Sequence, residues 1–190
     1  MKTKLLTSIL VLMLTGLSTI FAQGFQPPAE GKAVVYFVRV SAYGGAVSFE
    51  FFHQDQYIGF FKGVNYLRYE CNPGENLFWA SSENKEFITA DLKAGGTYIV
   101  MVDVIMGMMK AHVGLKPMPT DDKDIFDRVK KVVNSRDAKV TDEKTIEAKN
   151  KKLGEKFIPE MLKRYNEEWK GTKNFKHITA DMAIPPEDLK

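Results

Sequence analysis

Between Lys32 and Leu115 the chain consists of short apolar stretches separated by turn residues. β-Branched and aromatic residues dominate these stretches, which is typical of strands. No stretch with helical periodicity lies between them, so short turns are expected to join consecutive strands. The predicted strands are Lys32–Val40, Ala46–His53, Tyr57–Lys62, Tyr66–Cys71, Asn76–Ser82, Phe87–Leu92, Thr97–Ile105 and Lys110–Leu115.

Two turn sequences indicate where strands end. In Asn72-Pro73-Gly74-Glu75, proline presets the first central residue of a type II turn and glycine supplies the positive φ of the second. Lys93-Ala94-Gly95-Gly96 is expected to form another turn. Short strands joined by tight turns predict a mainly β fold, namely an antiparallel, Ig-like β-sandwich of about seven to eight strands.

One predicted strand is apolar on both faces. In the segment Ala46–His53, Phe49 and Phe51 fall on one face and Phe52 falls on the other, because side chains alternate along a strand. A strand with two apolar faces needs a second cover. We expect C-terminal helices to provide it, rather than an exposed ligand-binding patch.

After Pro117 and Pro119 the apolar residues change to a helical spacing. A first helix is predicted from Asp121 to Ser135, with Thr120 as its N-cap. Its apolar stripe consists of Ile125, Val129, Val132 and Val133.

A second helix is predicted to begin at Asp142-Glu143, with Thr141 as its N-cap. Pro159 interrupts its apolar stripe, so a kink or break is expected there. The residues from Asn174 to Lys190 are predicted to form an irregular tail. The members of the stripe, spaced by four residues, are Leu153, Phe157, Met161, Tyr165 and Trp169.

Composition divides the chain at the same place. Residues 23–118 contain 8 Lys+Arg and 9 Asp+Glu among 96 residues, with 16 aromatics. Residues 119–190 contain 17 Lys+Arg and 15 Asp+Glu among 72 residues, with 5 aromatics. We therefore predict a β-sandwich domain over 23–118 and a helical C-terminal extension over 119–190 that packs on or beside the sandwich.

The N-terminus carries an export signal. A basic start, Met1-Lys2-Thr3-Lys4, precedes an apolar run that ends at Ala22, which is typical of a secretory signal peptide over residues 1–22. Cleavage is expected between Ala22 and Gln23. No cysteine lies near this point, so a lipid anchor is not expected, and no second apolar span of membrane length follows. The mature chain is predicted to be soluble and either periplasmic or secreted.

Standard catalytic and metal-binding motifs do not occur in the sequence. The net charge of +3 is too small to indicate a nucleic-acid partner. Cys71 is the single cysteine, and His53, His112 and His177 have no second ligand at metal-binding spacing. We expect no cofactor, and ordinary structural roles for these four residues.

Two groups of residues leave other chemistry open. Thioethers select Cu(I), so a methionine–histidine cluster suggests copper binding, although core packing is the favoured interpretation. Its members are Met101, Met106, Met108, Met109 and His112. The strand carboxylates Glu50, Glu70 and Asp91 could pair as acid and base in a cleft, although pairing with surface neighbours is favoured.

The opening GKAVVYFVR resembles a family of bacterial envelope proteins of unknown function. The hairpin SFEFFHQDQYIGFFKGVNYLRYECNPGENLFWASSENK, the segment DLKAGGTYIV and the hairpin MGMMKAHVGL extend the resemblance over residues 31–118. That family includes many lipoproteins and is similar to PEGA-type sandwich domains. The resemblance implies an Ig-like or PEGA-like β-sandwich with no assigned activity, although this chain lacks the lipidated cysteine.

Together these features favour an exported, non-catalytic envelope protein that acts as a binding or interaction module. Its partner would be a protein, glycan or lipid of the envelope, held through a sheet edge or through the helical extension. The alternatives are a Cu(I)-handling protein that uses Met106, Met108, Met109 and His112, or an enzyme with a carboxylate site that follows no known motif.

Overall fold

The computed structural model describes residues 24–106, 111–119 and 121–190. Eight of its strands are the eight predicted from the sequence, with ends shifted by no more than two residues. They are β1 (Ala33–Arg39), β2 (Ser48–His53), β3 (Gln56–Lys62), β4 (Asn65–Cys71), β5 (Gly74–Ser81), β6 (Lys85–Leu92), β7 (Thr97–Met106) and β8 (Ala111–Pro117). The helices are α1 (Lys123–Ser135), α2 (Glu143–Gly154) and α3 (Phe157–Arg164). A π-turn over Tyr165–Trp169 extends α3.

The C-terminal tail contributes a ninth strand, β9 (Lys176–Ile178), followed by a 3-10 turn over Ala180–Met182. The sequence prediction of an irregular tail is therefore wrong for these residues. A strand of three residues is too short to produce an alternating pattern that periodicity could detect.

The strands form two sheets. Sheet A has four strands in the order β4-β1-β7-β8, and sheet B has five in the order β3-β2-β5-β6-β9. Most neighbours are antiparallel, but β1 pairs with β7 in parallel and β6 pairs with β9 in parallel. Both sheets are thus mixed, and the expected uniformly antiparallel arrangement is not confirmed.

The inner faces of the two sheets share one apolar core. Strand β1 lies between β4 and β7, and all seven of its residues are buried. This explains its uninterrupted apolar sequence, because a central strand covered on both faces has no solvent-exposed side. Core residues from the two sheets include Val35, Phe37, Phe49, Phe51, Phe78, Ile88, Val100 and Val113.

Helices cover the outer faces of both sheets. On sheet A, the α1 residues Val129 and Val133 pack with Val34 and Tyr36 of β1. On sheet B, α3 and the π-turn cover an aromatic layer. That layer consists of Phe52, Tyr57, Trp79 and Phe87. Phe52 therefore lies on the face opposite Phe49 and Phe51, as its position in the strand predicts.

The helix starts differ slightly from the predicted ones. Asp122 caps α1 by accepting a hydrogen bond from the Ile125 amide at 2.9 Å, and the predicted cap, Thr120, lies outside the described residues. Asp142, not Thr141, caps α2, because its carboxylate accepts from the Thr145 amide at 2.9 Å. The break predicted near Pro159 is confirmed: α2 ends at Gly154 and Pro159 lies in the first turn of α3, where no amide donor is needed.

Asparagine side chains form hydrogen bonds with backbone N–H and C=O groups of two edge strands. The Asn150 amide of α2 accepts from the Tyr57 N–H at 2.7 Å and donates to the Tyr57 carbonyl at 3.2 Å. Asn84 makes the same pair of bonds with Val113 of β8, at 2.8 and 2.9 Å. On the third edge, β4, the Lys139 amide donates to the Tyr66 carbonyl at 2.8 Å. These contacts use backbone groups that an added strand would otherwise bind.

None of the helices in the described part of the chain is long and apolar enough to cross a membrane.

Candidate functional site

A polar cleft of about 490 Å³ lies where the outer face of sheet B emerges from under the π-turn. Side chains alternate along a strand, so every second residue lies on the same face. On β5, Glu75 lies on the same face as Leu77 and Trp79. On β6, Thr89 and Asp91 lie on the same face as Phe87. Leu77 and the Tyr165 ring line its apolar part. We call this cavity the polar cleft. The residues that form its polar walls are Glu75, Thr89, Asp91, Asn166, Lys170 and His177.

Two carboxylates face each other in the polar cleft. Glu75 and Asp91 are directly opposite partners in the β5–β6 register, and both are exposed. Like charges at directly opposite positions destabilise a sheet, so this pair is a candidate for a functional role. Unfavourable local choices of this kind occur at functional sites, where selection for a ligand outweighs stability.

His177 extends the carboxylate pair onto β9. It lies beside Thr89 in the parallel β6–β9 register, with its Nδ1 at 2.8 Å from the Thr89 hydroxyl and its Nε2 at 3.4 Å from the Asp91 carboxylate. Its side chain is 42% exposed and that of Asp91 is 55% exposed. The group is thus a solvated row of donors and acceptors, not a water-excluded relay.

The opposite wall of the polar cleft comes from the π-turn. The Lys170 amide donates to the Tyr165 carbonyl at 2.8 Å, which closes the wide turn after α3. Tyr165 is buried against Phe87, with ring centroids 4.7 Å apart, while Asn166 and Lys170 are exposed. Single π-turns within helices are frequent at functional sites, because they re-aim side chains that a regular helix would place elsewhere.

A half-buried hydrogen-bond network lies beside the cleft. The Asn76 amide nitrogen donates to the carbonyls of Asn72 and Gly74, so its oxygen is the acceptor for His53 Nε2 at 2.8 Å. His53 therefore carries its proton on Nε2, and its Nδ1 accepts from the Tyr69 hydroxyl at 3.1 Å. This network joins sheet B to sheet A and fixes the turn before Glu75, in which Gly74 has the predicted positive φ of 96°.

The His53 network predicts a pH-dependent stability. Burial lowers the pKa of His53 below the 6.5 of an exposed histidine, with the Asn76 hydrogen bond and Asp55 acting in the opposite direction. The unfolded chain therefore binds the proton first as pH falls. The stability contributed by neutral His53 is present above about pH 6.5, is lost as pH falls below that value, and levels off below the folded-state pKa.

The measurement is the free energy of unfolding in urea between neutral and mildly acidic pH. Relative to wild type, His53→Gln should lose part of this acid dependence, because glutamine does not titrate. An identical pH profile for the two proteins would contradict the assignment.

The methionine–histidine cluster is only partly described. Met108 and Met109 lie outside the described residues, and Met101 is buried in the layer beneath α1. Met106 is 59% exposed at the end of β7 and pairs with Ala111, whereas His112 pairs with Ile105. Neighbouring pairs point to opposite faces of a ribbon, so Met106 and His112 do not face a common point. Core packing stays the prediction for this segment, and Cu(I) binding stays the alternative.

The three strand carboxylates proposed as an acid–base alternative do not come together. Glu50 pairs with Lys149 of α2 at 2.7 Å, Glu70 pairs with Arg68 on its own strand, and Asp91 lies near His177. Asp91 does meet a carboxylate, but its partner is Glu75, which no sequence pattern links to it. Burial raises the pKa of the Cys71 thiol to about 11, so this cysteine is protonated at neutral pH and is a poor nucleophile.

Among the described residues, no three His, Cys, Asp or Glu side chains are grouped so that they could hold a metal ion. The residues that line the polar cleft offer hydrogen-bond donors, acceptors and mixed charge.

Comparisons with known proteins give no family: no protein-family model matches the chain, and neither a curated protein nor a solved structure matches it significantly.

Proposed function

We propose that this protein is an exported, non-catalytic binding module of the bacterial envelope, and that its ligand binds in the polar cleft. The observation that carries the proposal is the directly opposed pair Glu75–Asp91, flanked by His177 and Lys170 in an open cleft. These charges reduce stability as they stand, and a bound ligand that supplies donors would offset their repulsion.

The way the edges are covered supports binding in the cleft over binding at a sheet edge. A peptide that adds a strand needs a row of open backbone groups. Asn150, Asn84 and Lys139 use backbone groups on β3, β8 and β4, and β9 has three residues. The helical extension is likewise engaged, because its apolar face packs on sheet B.

Export and family remain part of the proposal. The signal-like residues 1–22 support a periplasmic or secreted location without a lipid anchor. The hairpin motifs within residues 31–118 support a relationship to PEGA-like, Ig-like sandwich domains of envelope proteins. The chain recovered from the exported fraction should have an intact mass that begins at Gln23.

The ligand experiment measures the melting temperature of this exported chain in the presence of small soluble fragments released from bacterial envelopes. A ligand that binds only the folded state raises the melting temperature. The double variant Glu75→Gln/Asp91→Asn should lose this increase. Its own melting temperature should equal or exceed that of wild type, because two opposed charges are removed without a change of shape.

The matched control is Glu147→Gln/Glu160→Gln, which removes the same charge from exposed positions on α2 and α3. It should respond to the fragments as wild type does. An increase that survives in the cleft variant, or that disappears equally in the control, would contradict the assignment of the site.

A second candidate function is hydrolysis with Glu75 and Asp91 as an acid–base pair, because the structure places two carboxylates side by side in a cleft. Catalytic carboxylates act most effectively where water is excluded, and this pair is exposed. We therefore favour binding. Turnover of chromogenic esters or glycosides by wild type, lost in Asp91→Asn, would establish the enzyme instead.

A further inference from the structure

The polar cleft does not end at β5. A second pocket of about 280 Å³ lies on the other side of the β2–β3 turn, between that turn and the end of β4. We call it the rim pocket and define it by Lys32, His53, Asp55, Tyr69, Glu70 and Asn72. Gln54 lines both pockets. The two pockets therefore share one lining residue, and together we call them the groove.

Gln54 has an unusual backbone at this junction. Its φ is 52°, and it is the one non-glycine residue with positive φ in the described part of the chain. Two hydrogen bonds hold the turn in place. The Gln54 backbone N–H donates to the Leu77 carbonyl at 2.8 Å, and the Trp79 indole N–H donates to the Gln54 backbone carbonyl at 2.9 Å. Glycine would adopt this conformation more readily. A glutamine there keeps an exposed amide side chain between the two pockets at a cost in backbone strain.

The charges along the groove disfavour a polyanionic ligand. The carboxylates that line it are Asp55, Glu70, Glu75 and Asp91, and its lysines are Lys32 and Lys170. Arg68 neutralises Glu70 from outside the groove. Three carboxylates then face two lysines, which leaves an excess of negative charge. Nucleic acids and acidic polymers need the opposite sign.

The shape and chemistry of the groove also disfavour lipids and peptides. A lipid chain needs a continuous apolar channel, whereas carboxylate, amide and lysine side chains dominate these walls. An extended peptide that binds as an added strand needs an open sheet edge. The groove instead crosses the ends of β5 and β6, and it presents side-chain amides, carboxylates, lysines and a histidine. These donors and acceptors match a ligand with many hydroxyls.

We propose that the groove binds an oligosaccharide, neutral or carrying amino groups, with successive sugar units in the polar cleft and the rim pocket on either side of Gln54. This inference rests on the proposed function and specifies its ligand class. The Glu75–Asp91 pair supplies acceptors for hydroxyl or ammonium groups, and Asn166 and Lys170 supply donors from the facing wall.

The test is titration calorimetry of the exported chain with chito-oligosaccharides of increasing length, their deacetylated forms and oligogalacturonates. Affinity should rise by about tenfold or more from the monosaccharide to an oligomer that spans both pockets, because the second pocket adds contacts. Oligogalacturonates should bind at least about tenfold more weakly than neutral oligomers of the same length, because their carboxylates meet an acidic groove.

The decisive variant is Gln54→Gly, which removes the shared side chain and leaves a backbone that favours positive φ. Its melting temperature should be equal to or above that of wild type, so loss of binding would not result from unfolding. Its affinity for long oligomers should fall about tenfold toward the value for short ones. The control variant Glu147→Gln/Glu160→Gln should bind as wild type.

Affinity independent of chain length, or wild-type affinity in Gln54→Gly, would overturn the inference. If envelope fragments act through the polar cleft but no oligosaccharide binds, the ligand class is wrong and the binding module stands. Binding of extended peptides in place of oligosaccharides would also overturn it. If neither fragments nor oligosaccharides bind, both proposals fail.

Discussion

Replacing Trp79 by alanine is expected to lower the free energy of unfolding by about 3–5 kcal/mol. Trp79 is fully buried between sheet B and α3, with its ring stacked on Phe52 at a centroid distance of 3.7 Å and on Phe87 at 5.4 Å. Its indole N–H also donates to the Gln54 carbonyl at 2.9 Å. Truncation to alanine leaves a cavity in the aromatic layer and removes this donor. Urea unfolding monitored by circular dichroism measures the change.

Two further variants separate packing from hydrogen bonding. Trp79→Phe keeps a ring in the stack but removes the donor to Gln54, and should lose about 1–3 kcal/mol. Trp169→Ala should lose about 1–2 kcal/mol, because its half-buried ring contacts the cations of Arg164 and Lys173, at 4.6 and 4.3 Å, near the surface. Equal losses for Trp79→Ala and Trp169→Ala would contradict the expectation that a fully buried ring contributes more stability than one near the surface.

Removal of all residues after Met118 is expected to abolish folding. The deletion uncovers Phe52, Tyr57, Trp79 and Phe87 of sheet B and also removes β9. Aromatic side chains bury about 150–250 Å² each, and at about 25 cal/mol/Å² these four represent roughly 15–25 kcal/mol as an upper bound. Domains of this size have a net stability of about 5–15 kcal/mol. Size-exclusion chromatography and near-ultraviolet circular dichroism should show an aggregated or unstructured product.

Co-expression of residues 119–190 as a separate chain provides the matched control, because it restores the missing cover without the covalent link. Recovery of a folded complex would attribute the loss to docking rather than to the new chain end. A truncated protein that folds with unchanged stability would indicate that the helical face serves a partner instead.

The sequence predicts the local elements well and their partners poorly. The strands from β1 to β8, the positive φ of Gly74 and the break before Pro159 follow from residues close together in the chain. The parallel pairings of β1 with β7 and of β6 with β9 join distant segments, and no local rule encodes them. One signal was available: a strand such as AVVYFVR, apolar on both faces, is typical of a central strand with parallel neighbours.

The candidate site was predicted less well for the same reason. Asp91 was identified as a candidate acid or base, but Glu75 lies sixteen residues earlier and His177 lies on a strand that periodicity did not detect. Their convergence depends on the β5–β6 register and on the tail returning to sheet B. No sequence pattern distinguishes Gln54 from other glutamines. Its unusual feature is the positive φ of its backbone, which only the structure shows.

The amides of Asn150 and Asn84 each close one position on an edge strand, in β3 and in β8. A neighbouring strand offers donors and acceptors on both sides, so each added strand creates a new edge for the next one. A primary amide offers them on one side only. Strand addition from another copy is therefore blocked at Tyr57 and at Val113. Deamidation of either asparagine would replace the donor by a carboxylate that repels the backbone carbonyl, and would reopen that edge to self-association as the protein ages.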